Sequence, residues 1–380
     1  MNPVAVTQSQ ARRIWLRAQR LDTPAPFGTG PEATPAAVRQ LGYVQIDTIQ
    51  VIERCHHHIL FTRIPDFRRE HLHRAQSVEK TVFEYWTHAL AYLPTEDFRF
   101  YVRDMRSYWS RHGDWFANIK DKDLRRVLTR IRRNGALTIR DIDDKVLVEK
   151  EHAWASRKPS KRALQLAFYK GLVTISHRAG MLKTYELTAR HFGWDRLPPP
   201  AKPGEVCEYL VDRTLRSQGV VSLDSICYLT PSRKPAVKRI IDRRVRRKEL
   251  VPVALEGGGK CQHWARPQVL EERVEIDSGL VHILSPFDPL VIQRKRSLLI
   301  FNYEHRFEAY VPKPKRVFGY FACPVLCGDE VVAAIDLKMD REQQKLLIQK
   351  WNWVGKGSGR AHQKPIEAAL DAFERFQMSR

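Results

Sequence analysis

The stretch QGVVSLDSI, residues 218–226, decides the fold through its position between two predicted helices. Val206–Ser217 precedes it with the apolar spacing of an amphipathic helix, and a strongly basic helix is predicted over 235–248. An apolar run and a return strand follow over 250–265 and meet at a triple-glycine turn. This is the order of a winged helix-turn-helix unit, which consists of a helix, a short apolar segment ending in serine, a short helix, a basic helix and a hairpin.

An earlier segment of the chain repeats this order. The helix Lys122–Arg133 leads into NGALTIRDI, residues 134–142, and a helix with several lysines and arginines is predicted over 158–170. Two strands around a turn at Arg178-Ala179-Gly180 complete the pattern by Leu187. A doubled winged pattern predicts DNA binding, and the alternative for such units is a role in protein contacts.

The charge of the chain favours a polyanionic partner. Its 380 residues carry a formal net charge of +22, and arginines are spread along the whole length. The segment Arg233–Lys248 holds nine basic residues and one acid, Asp242. Within that helix, Arg239 and Arg243 are predicted to contact DNA phosphates. The alternatives are an ordinary basic enzyme and a helix face that is merely solvated.

Cysteine and histidine spacing argues against a metal centre or a disulfide framework. Six cysteines are scattered, and only Cys323 and Cys327 stand close together, with no matching pair elsewhere. Three histidines, His56-His57-His58, follow Cys55, but consecutive side chains point in different directions and rarely bind one ion. We therefore expect reduced thiols, no metal and no cofactor.

The N-terminal residues lack the apolar core of a signal peptide. No run of the sequence approaches the roughly eighteen apolar residues that a membrane helix needs. A soluble, cytoplasmic protein is the expectation from these two features. A nucleoid-associated location goes with the expected DNA partner, and a monomer is the default expectation.

A second motif lies in LGYVQIDTIQVIERCHHHILFTR, residues 41–63, with Val44-Gln45-Ile46-Asp47 at its centre. In an extended backbone Gln45 and Asp47 project to the same side, and Ile46 projects to the other. A carboxylate beside an amide can hold one water, because the amide orients it and the carboxylate takes its proton. The alternative is a surface strand with ordinary polar residues, and a helix here would separate the two side chains.

After residue 280 the sequence changes to strands and turns. Val331–Lys338 alternates as a strand, and two helices are predicted to close the chain, over about 340–351 and 363–377. The basic pair Lys315-Arg316 before Phe318-Gly319-Tyr320 predicts a hairpin that reaches a DNA groove, with a solvated turn as the alternative.

These patterns predict an α+β fold of tandem winged helix-turn-helix units with a β-rich C-terminal part. Four parts are expected: an N-terminal winged-helix-like unit, two winged helix-turn-helix units, and a C-terminal region with the basic hairpin and the closing helices. Their bounds are 1–118, 119–200, 201–275 and 276–380.

Taken together, the motifs resemble the winged-helix DNA glycosylases of the AlkZ/YcaQ family. The matching pieces occur in the family's order along nearly the whole chain. They are Leu41–Ile49, Leu60–Arg63, Glu84–His88, Tyr185–Thr188, Leu284–Pro289, Arg294–Arg296 and Pro314–Phe321.

The resemblance implies three winged-helix units around a concave basic surface. It also implies a metal-independent, monofunctional glycosylase that excises alkylated purines and unhooks interstrand crosslinks in duplex DNA. The form Gln-apolar-Asp at 45–47 is similar to the YcaQ branch, which acts on a broader range of alkylated bases than the toxin-dedicated branch. An open groove that works on an unflipped nucleotide suits bulky adducts better than a tight pocket.

The resemblance also implies roles for particular residues. Asp47 is expected to stabilise positive charge on the sugar and to activate water, and Gln45 is expected to position that water. The residues expected to bind DNA are Arg63, His57, Trp86, His88, Arg239, Arg243, Lys295, Arg296, Lys315, Arg316 and Tyr320. For Arg63 the alternative is a pair with a carboxylate, and for Trp86 it is core packing.

Two other functions would fit parts of the sequence. A winged-helix transcription regulator without catalytic activity explains the charge and the repeats, but it leaves Gln45-Ile46-Asp47 without a role. A nuclease built on acidic residues would need a divalent metal, so its activity would be lost in chelator.

Overall fold

The computed structural model describes residues 2–110, 116, 119–142, 156–355 and 359–379. Its mixture of helices and small sheets confirms the predicted α+β class. The helices are α1 Gln8–Ala18, α2 Ala33–Leu41, α3 Cys55–Phe61, α4 Arg69–His73, α5 Phe98–Ser110, α6 Asp121–Asn134, α7 Pro159–Tyr169, α8 Thr188–Phe192, α9 Pro203–Gln218, α10 Leu223–Ile226, α11 Lys234–Arg246, α12 Pro267–Glu271, α13 Arg294–Phe301 and α14 Gly359–Met378.

The strands are short in the first two thirds of the chain and longer near its end. They are β1 Val4–Val6, β2 Val44–Gln45, β3 Val82–Trp86, β4 Leu90–Pro94, β5 Leu137–Thr138, β6 Val173–Ala179, β7 Leu182–Leu187, β8 Val221–Ser222, β9 Val251–Leu255, β10 His263–Ala265, β11 Val281–Ile283, β12 Ala322–Cys327, β13 Glu330–Asp340 and β14 Lys345–Trp353. Within the described part of the chain, no helix is long and apolar enough to cross a membrane.

The segment that begins at α9 has the predicted winged order. Ser222 ends β8 and caps α10, because its hydroxyl accepts the N–H of Ser225 at 3.2 Å. Gly219 precedes this turn with a φ of +68°, and a Cβ there would lie 2.4 Å from the Ile14 side chain. The basic helix α11 follows, and β9 and β10 form the hairpin in a sheet of order β1-β9-β10-β8.

The earlier segment has the same connectivity. Its three strands form a sheet of order β5-β7-β6, so the first strand pairs with the last in both repeats. Thr138 caps the turn after β5 together with Asp141, as Ser222 does after β8. The element order predicted for these two repeats is therefore confirmed, except that residues 143–155 lie outside the described residues.

The chain divides into two compact units. The first comprises residues 1–71, 87–90 and 206–380, and the second comprises 72–86 and 91–205. In the first unit, Trp15 and Leu16 of α1 are fully buried in a core with apolar side chains from β9, α13 and β13. The earlier division at residues 118, 200 and 275 stays a prediction.

The C-terminal sheet has the order β11-β12-β13-β14 and differs from the sequence prediction in one place. Residues 340–351 were expected to be helical, but β14 pairs antiparallel with β13 from Asp340–Lys345 to Ala333–Trp353. That prediction was wrong because β13 offers a long ladder for pairing, which overrides local helix preference. The final helix is confirmed, and its Phe373 stacks on His58 with ring centroids 4.2 Å apart.

The predicted basic hairpin at 313–321 is also wrong. Lys313–Lys315 form a 3-10 turn, and the chain then runs without strand pairing until β12 begins at Ala322. Two prolines, Pro312 and Pro314, lack the N–H groups that a strand ladder needs. The cluster at 294–296, expected among strands and turns, instead begins helix α13.

Arg63 joins three parts of the first unit from a fully buried position. Its guanidinium forms two bonds to the Asp288 carboxylate, at 2.8 and 3.0 Å, and neither side chain has any exposed surface. Its Nε donates to the carbonyl of Gln19, which caps α1, at 2.9 Å. The prediction that Arg63 contacts DNA phosphate was wrong, and the alternative of a carboxylate pair is confirmed.

We expect Arg63→Met to lower the free energy of unfolding by about 3–5 kcal/mol, because it leaves Asp288 charged and buried without a partner. Urea unfolding followed by tryptophan fluorescence measures the change. Arg68→Met, at an exposed position nearby, is the matched control and should change stability by less than about 0.5 kcal/mol. A loss below about 1 kcal/mol for Arg63→Met, the value of a surface pair, would contradict this role.

Candidate active site

The Gln45-Ile46-Asp47 motif lies where strand geometry ends. Val44 and Ile46 are buried, and the Ile46 N–H donates to the Leu90 carbonyl at 2.8 Å. At Asp47 the chain turns, because the Asp47 Oδ1 accepts the N–H of Ile49 at 2.8 Å. This turn fixes Oδ1 of the Asp47 side chain, which is partly exposed. The second carboxylate oxygen, Oδ2, does not take part in the turn.

Gln45 is buried and held through both its side chain and its backbone. Its Oε1 lies 3.0 Å from Nε2 of His88, and its carbonyl accepts the Cys55 thiol at 3.1 Å. Burial and the positive charge of Arg213 lower the pKa of His88 to about 4, so the ring is neutral at pH 7. A neutral His88 donates its Nε2–H to the Gln45 oxygen, which leaves the amide nitrogen of Gln45 as a donor.

Two aromatic rings fix the position of His88. Tyr43 packs edge-on at a centroid distance of 5.0 Å, and Tyr228 does so at 5.7 Å. Burial raises the pKa of the Tyr43 hydroxyl, although Arg213 acts in the opposite direction. Burial also raises the pKa of the Tyr228 hydroxyl, so both phenols are neutral at pH 7. Nothing in the sequence pointed to Tyr228, which lies far away along the chain.

Cys55 links Asp47 to the start of α3. Burial raises the pKa of its thiol, and the negative charge of Asp47 raises it further. The thiol therefore stays protonated and donates to Gln45 instead of acting as a nucleophile.

The loop that follows Asp47 is fixed by the end of β13. The Val51 carbonyl accepts the N–H of Met339 at 2.9 Å. Arg341 donates to the carbonyls of Gln50 and Ile52, both at 3.0 Å. These bonds fix the backbone a few residues after Asp47, and the bond between Ile46 and Leu90 fixes it just before Asp47. The backbone of the motif is therefore held both before and after its carboxylate.

A basic cavity of about 500 Å³ adjoins this loop at Val51. Its remaining lining comes from the segment 313–320 and from β13 and β14, and it includes four cationic side chains. They are Lys313, Arg316, Lys338 and Lys350.

Two buried carboxylates hold the segment 313–321 in place of strand pairing. Glu308 accepts the N–H groups of Val317, Phe318 and Gly319 at 2.9, 2.7 and 3.2 Å. Burial would raise the pKa of Glu308, but these three bonds outweigh it and lower the pKa. Asp336 accepts the next two N–H groups, both at 2.8 Å, and a Cβ at Gly319 would collide with it.

The predicted DNA contacts in this segment lie close together. Lys315 is exposed, and Tyr320 has 37% of its surface exposed. The Arg316 guanidinium lies 4.8 Å from the centroid of the Tyr320 ring, and its Nε donates to the Val311 carbonyl at 2.8 Å. The two side chains therefore form one cationic, aromatic edge of the basic cavity.

The three consecutive histidines have separate surroundings. His56 is buried, and His58 bonds through Nε2 to the Ile283 carbonyl at 2.8 Å. His57 is partly exposed and lies 3.0 Å from Glu53, a buried carboxylate that also pairs with Arg69. Burial would raise the pKa of Glu53, but His57 and Arg69 lower it to about 2.

The basic helix α11 is partly neutralised by α9. Arg239 and Arg243 are exposed, but Arg243 pairs with Glu208. The neighbouring Arg244 pairs with Asp212 at 2.6 Å. The sequence alone did not show that these acids would lie beside the arginines.

The cluster 294–296 does not form one exposed patch. Lys295 is exposed, as predicted for a DNA contact, but Arg296 is 7% exposed and donates to the Val220 carbonyl at 2.7 Å. Helix α13 turns successive side chains by about 100°, so adjacent residues have different surroundings. In the second unit, Trp86 is partly exposed and stacks on Tyr169 at 5.5 Å.

Two comparisons with known proteins cover most of this chain. Residues 38–376 match the family model described as DNA glycosylase AlkZ-like. The solved structure of Streptomyces sahachiroi DNA glycosylase AlkZ is similar with a TM-score of 0.65 and 15% identity, over 98% of this chain and 97% of that chain. At this identity the structural likeness concerns the fold, whereas the family match spans most of the sequence.

The family match decides between the alternatives that the basic repeats left open. A transcription regulator without catalytic activity is set aside, and the resemblance found in the sequence is confirmed. The chain belongs to the AlkZ-like DNA glycosylase family, and DNA is its substrate.

Proposed function

We propose that the protein hydrolyses the N-glycosidic bond of N7-alkylated purines in duplex DNA and unhooks interstrand crosslinks, with Asp47 and Gln45 as the catalytic pair. One observation carries this proposal. The partly exposed carboxylate of Asp47 lies two residues after Gln45, and the side-chain oxygen of Gln45 is bonded to the neutral His88. In the proposed arrangement, the Gln45 amide nitrogen donates to one water and the Asp47 carboxylate accepts from it.

An alkyl group at N7 gives the purine a positive charge, so the base leaves without protonation by the enzyme. The transition state has oxocarbenium character on the sugar, as in other glycoside hydrolysis. The Asp47 carboxylate stabilises this charge and takes a proton from the attacking water. Gln45 orients the water through its amide nitrogen, and His88 acts as a positioning residue that fixes the amide.

The proposed reaction ends at hydrolysis. Water attacks the anomeric carbon, Asp47 takes its proton and the N-glycosidic bond breaks. The products are an abasic site and the released base, which in a crosslink stays attached to the opposite strand. Asp47 and Gln45 supply the acid-base and orienting groups, so the step needs no divalent metal. Excision that persists in chelator would separate this reaction from a metal-dependent nuclease.

The basic cavity beside the Asp47 loop is the proposed main DNA contact. Lys315, Arg316 and Tyr320 lie on a segment that five backbone bonds to Glu308 and Asp336 hold in place. A segment whose backbone is fixed in this way suits phosphate contact, because little backbone entropy is lost on binding. Further proposed contacts are His57, Trp86, His88, Arg239, Arg243 and Lys295. A third winged unit near the N-terminus and a monomeric state complete the proposal.

Asp47→Asn should lower the rate of excision by about 10²–10⁴-fold, because the amide carries no charge and is a poor base. The assay uses duplex DNA with N7-methylguanine or an N7–N7 crosslink in chelator, followed by alkali and a denaturing gel. Asp195→Asn, at an exposed position in the second unit, is the matched control and should keep the wild-type rate. Full activity of Asp47→Asn with an intact fold would contradict the catalytic role of Asp47.

Lys315→Ala should weaken DNA binding at low salt and reduce the slope of log Kd against log salt by about one. Fluorescence anisotropy with undamaged duplex DNA at several salt concentrations measures both quantities. Lys248→Ala, an exposed lysine after α11, serves as a comparison of equal charge change. An unchanged slope for Lys315→Ala would remove the 313–321 segment from the proposed interface.

A further inference from the structure

A second cavity, of about 260 Å³, lies in the first unit at the start of α13. Most of its accessible surface is apolar, and its polar and charged lining includes Ser222, Asp224, Tyr228, His263 and three cationic side chains, Arg294, Lys295 and Arg296.

Arg296 is a buried cation without a carboxylate partner among the residues that the structure describes. It is 93% buried, its guanidinium lies 4.2 Å from the centroid of Trp15, and it donates to the Val220 carbonyl. Its Nε has no hydrogen-bond partner within the described ranges. Burial lowers the pKa of Arg296 to about 9, so the group is still charged at pH 7. A buried, unpaired charge is costly, and an anion in the cavity would offset that cost.

His263 presents a second unsatisfied group in the same lining. The side chain is 97% buried, and its Nδ1 has no hydrogen-bond partner in the described part of the chain. Arg294 and Lys295 add two exposed cationic side chains. The one carboxylate of the described lining, Asp224, pairs with Lys234 instead of with Arg296. The described lining therefore has an excess of positive charge, with three cationic side chains and one carboxylate.

The cavity is connected to the catalytic pair through Tyr228. One side of this residue lines the cavity, and its ring packs on His88, which holds Gln45. Its hydroxyl donates to the Ile292 carbonyl at 3.2 Å, just before α13. An anion bound here would thus lie near the site where the target nucleotide is proposed to react.

We propose that this cavity binds a single phosphate group, with Arg296 as its main partner and His263, Arg294 and Lys295 as further contacts. The chemistry is that of a tetrahedral oxyanion held by a guanidinium and by neutral or cationic N–H donors. Two sources share this chemistry, a backbone phosphate of the substrate DNA and free inorganic phosphate. The DNA source rests on the proposed function, whereas the anion site does not.

Inorganic phosphate is the probe for the site, titrated into the full chain by calorimetry at fixed ionic strength. The wild type should bind phosphate and should melt at a higher temperature in phosphate than in chloride. Arg296→Gln should weaken binding by at least about tenfold and lose the increase in melting temperature. Arg247→Gln, on an exposed arginine outside the cavity, is the matched control and should bind as the wild type does.

A second variant tests the site independently, in case Arg296→Gln does not fold. Arg294→Glu reverses an exposed charge in the lining, so the fold should be kept while phosphate binding is weakened. A wild type that binds no phosphate, or equal binding by the wild type and both variants, would overturn the proposal. A lower melting temperature of Arg296→Gln together with an undiminished phosphate effect would also overturn it, since that result assigns Arg296 a purely structural role.

Competition between phosphate and duplex DNA identifies the source. If phosphate displaces DNA from the wild type but not from Arg296→Gln at constant ionic strength, the site takes a DNA phosphate. If phosphate binds without displacing DNA, the site takes a free oxyanion. Asp47→Asn should retain phosphate binding, so failure of the proposed catalytic pair and failure of this site give different results.

Discussion

The buried pair of Arg63 and Asp288 is the constraint on which the site depends. Arg63 follows α3, the helix that begins after the Asp47 loop, and Asp288 precedes α13, where the phosphate cavity starts. The guanidinium also bonds to the end of α1. One desolvated ion pair therefore joins three segments, two of which, α3 and α13, carry site residues. Because both charges are fully buried, neither partner can be removed without leaving the other unpaired.

Local sequence was sufficient for much of the fold. The two winged repeats were predictable because each strand-to-helix turn carries its own cap, Thr138 or Ser222, and because apolar spacing marks the helices. The C-terminal region was harder. Whether residues 345–353 form a strand depends on β13, and the conformation of 313–321 depends on carboxylates at 308 and 336. Such distant partners leave no periodic signal in the segment itself.

Part of the candidate site could likewise be predicted from local sequence, and part of it could not. The extended geometry through Ile46 was predictable from alternation, and so was the interest of Gln45 and Asp47. The support of Gln45 by His88 and Tyr228 was not, because it comes from a hairpin turn and from a residue far along the chain. Charge patterns were misleading where burial decides. Arg63 has the sequence character of a DNA contact, yet it is fully buried and pairs with Asp288.

The central claim is that Asp47 stabilises positive charge on the sugar of the target nucleotide. Its most direct measurement is the affinity for duplex DNA that contains a cationic azaribose, compared with an uncharged tetrahydrofuran at the same position. The wild type should prefer the cationic sugar by about tenfold or more, because it resembles the transition state. Asp47→Asn should lose that preference and keep its affinity for the tetrahydrofuran DNA. An equal preference in both proteins would contradict the account.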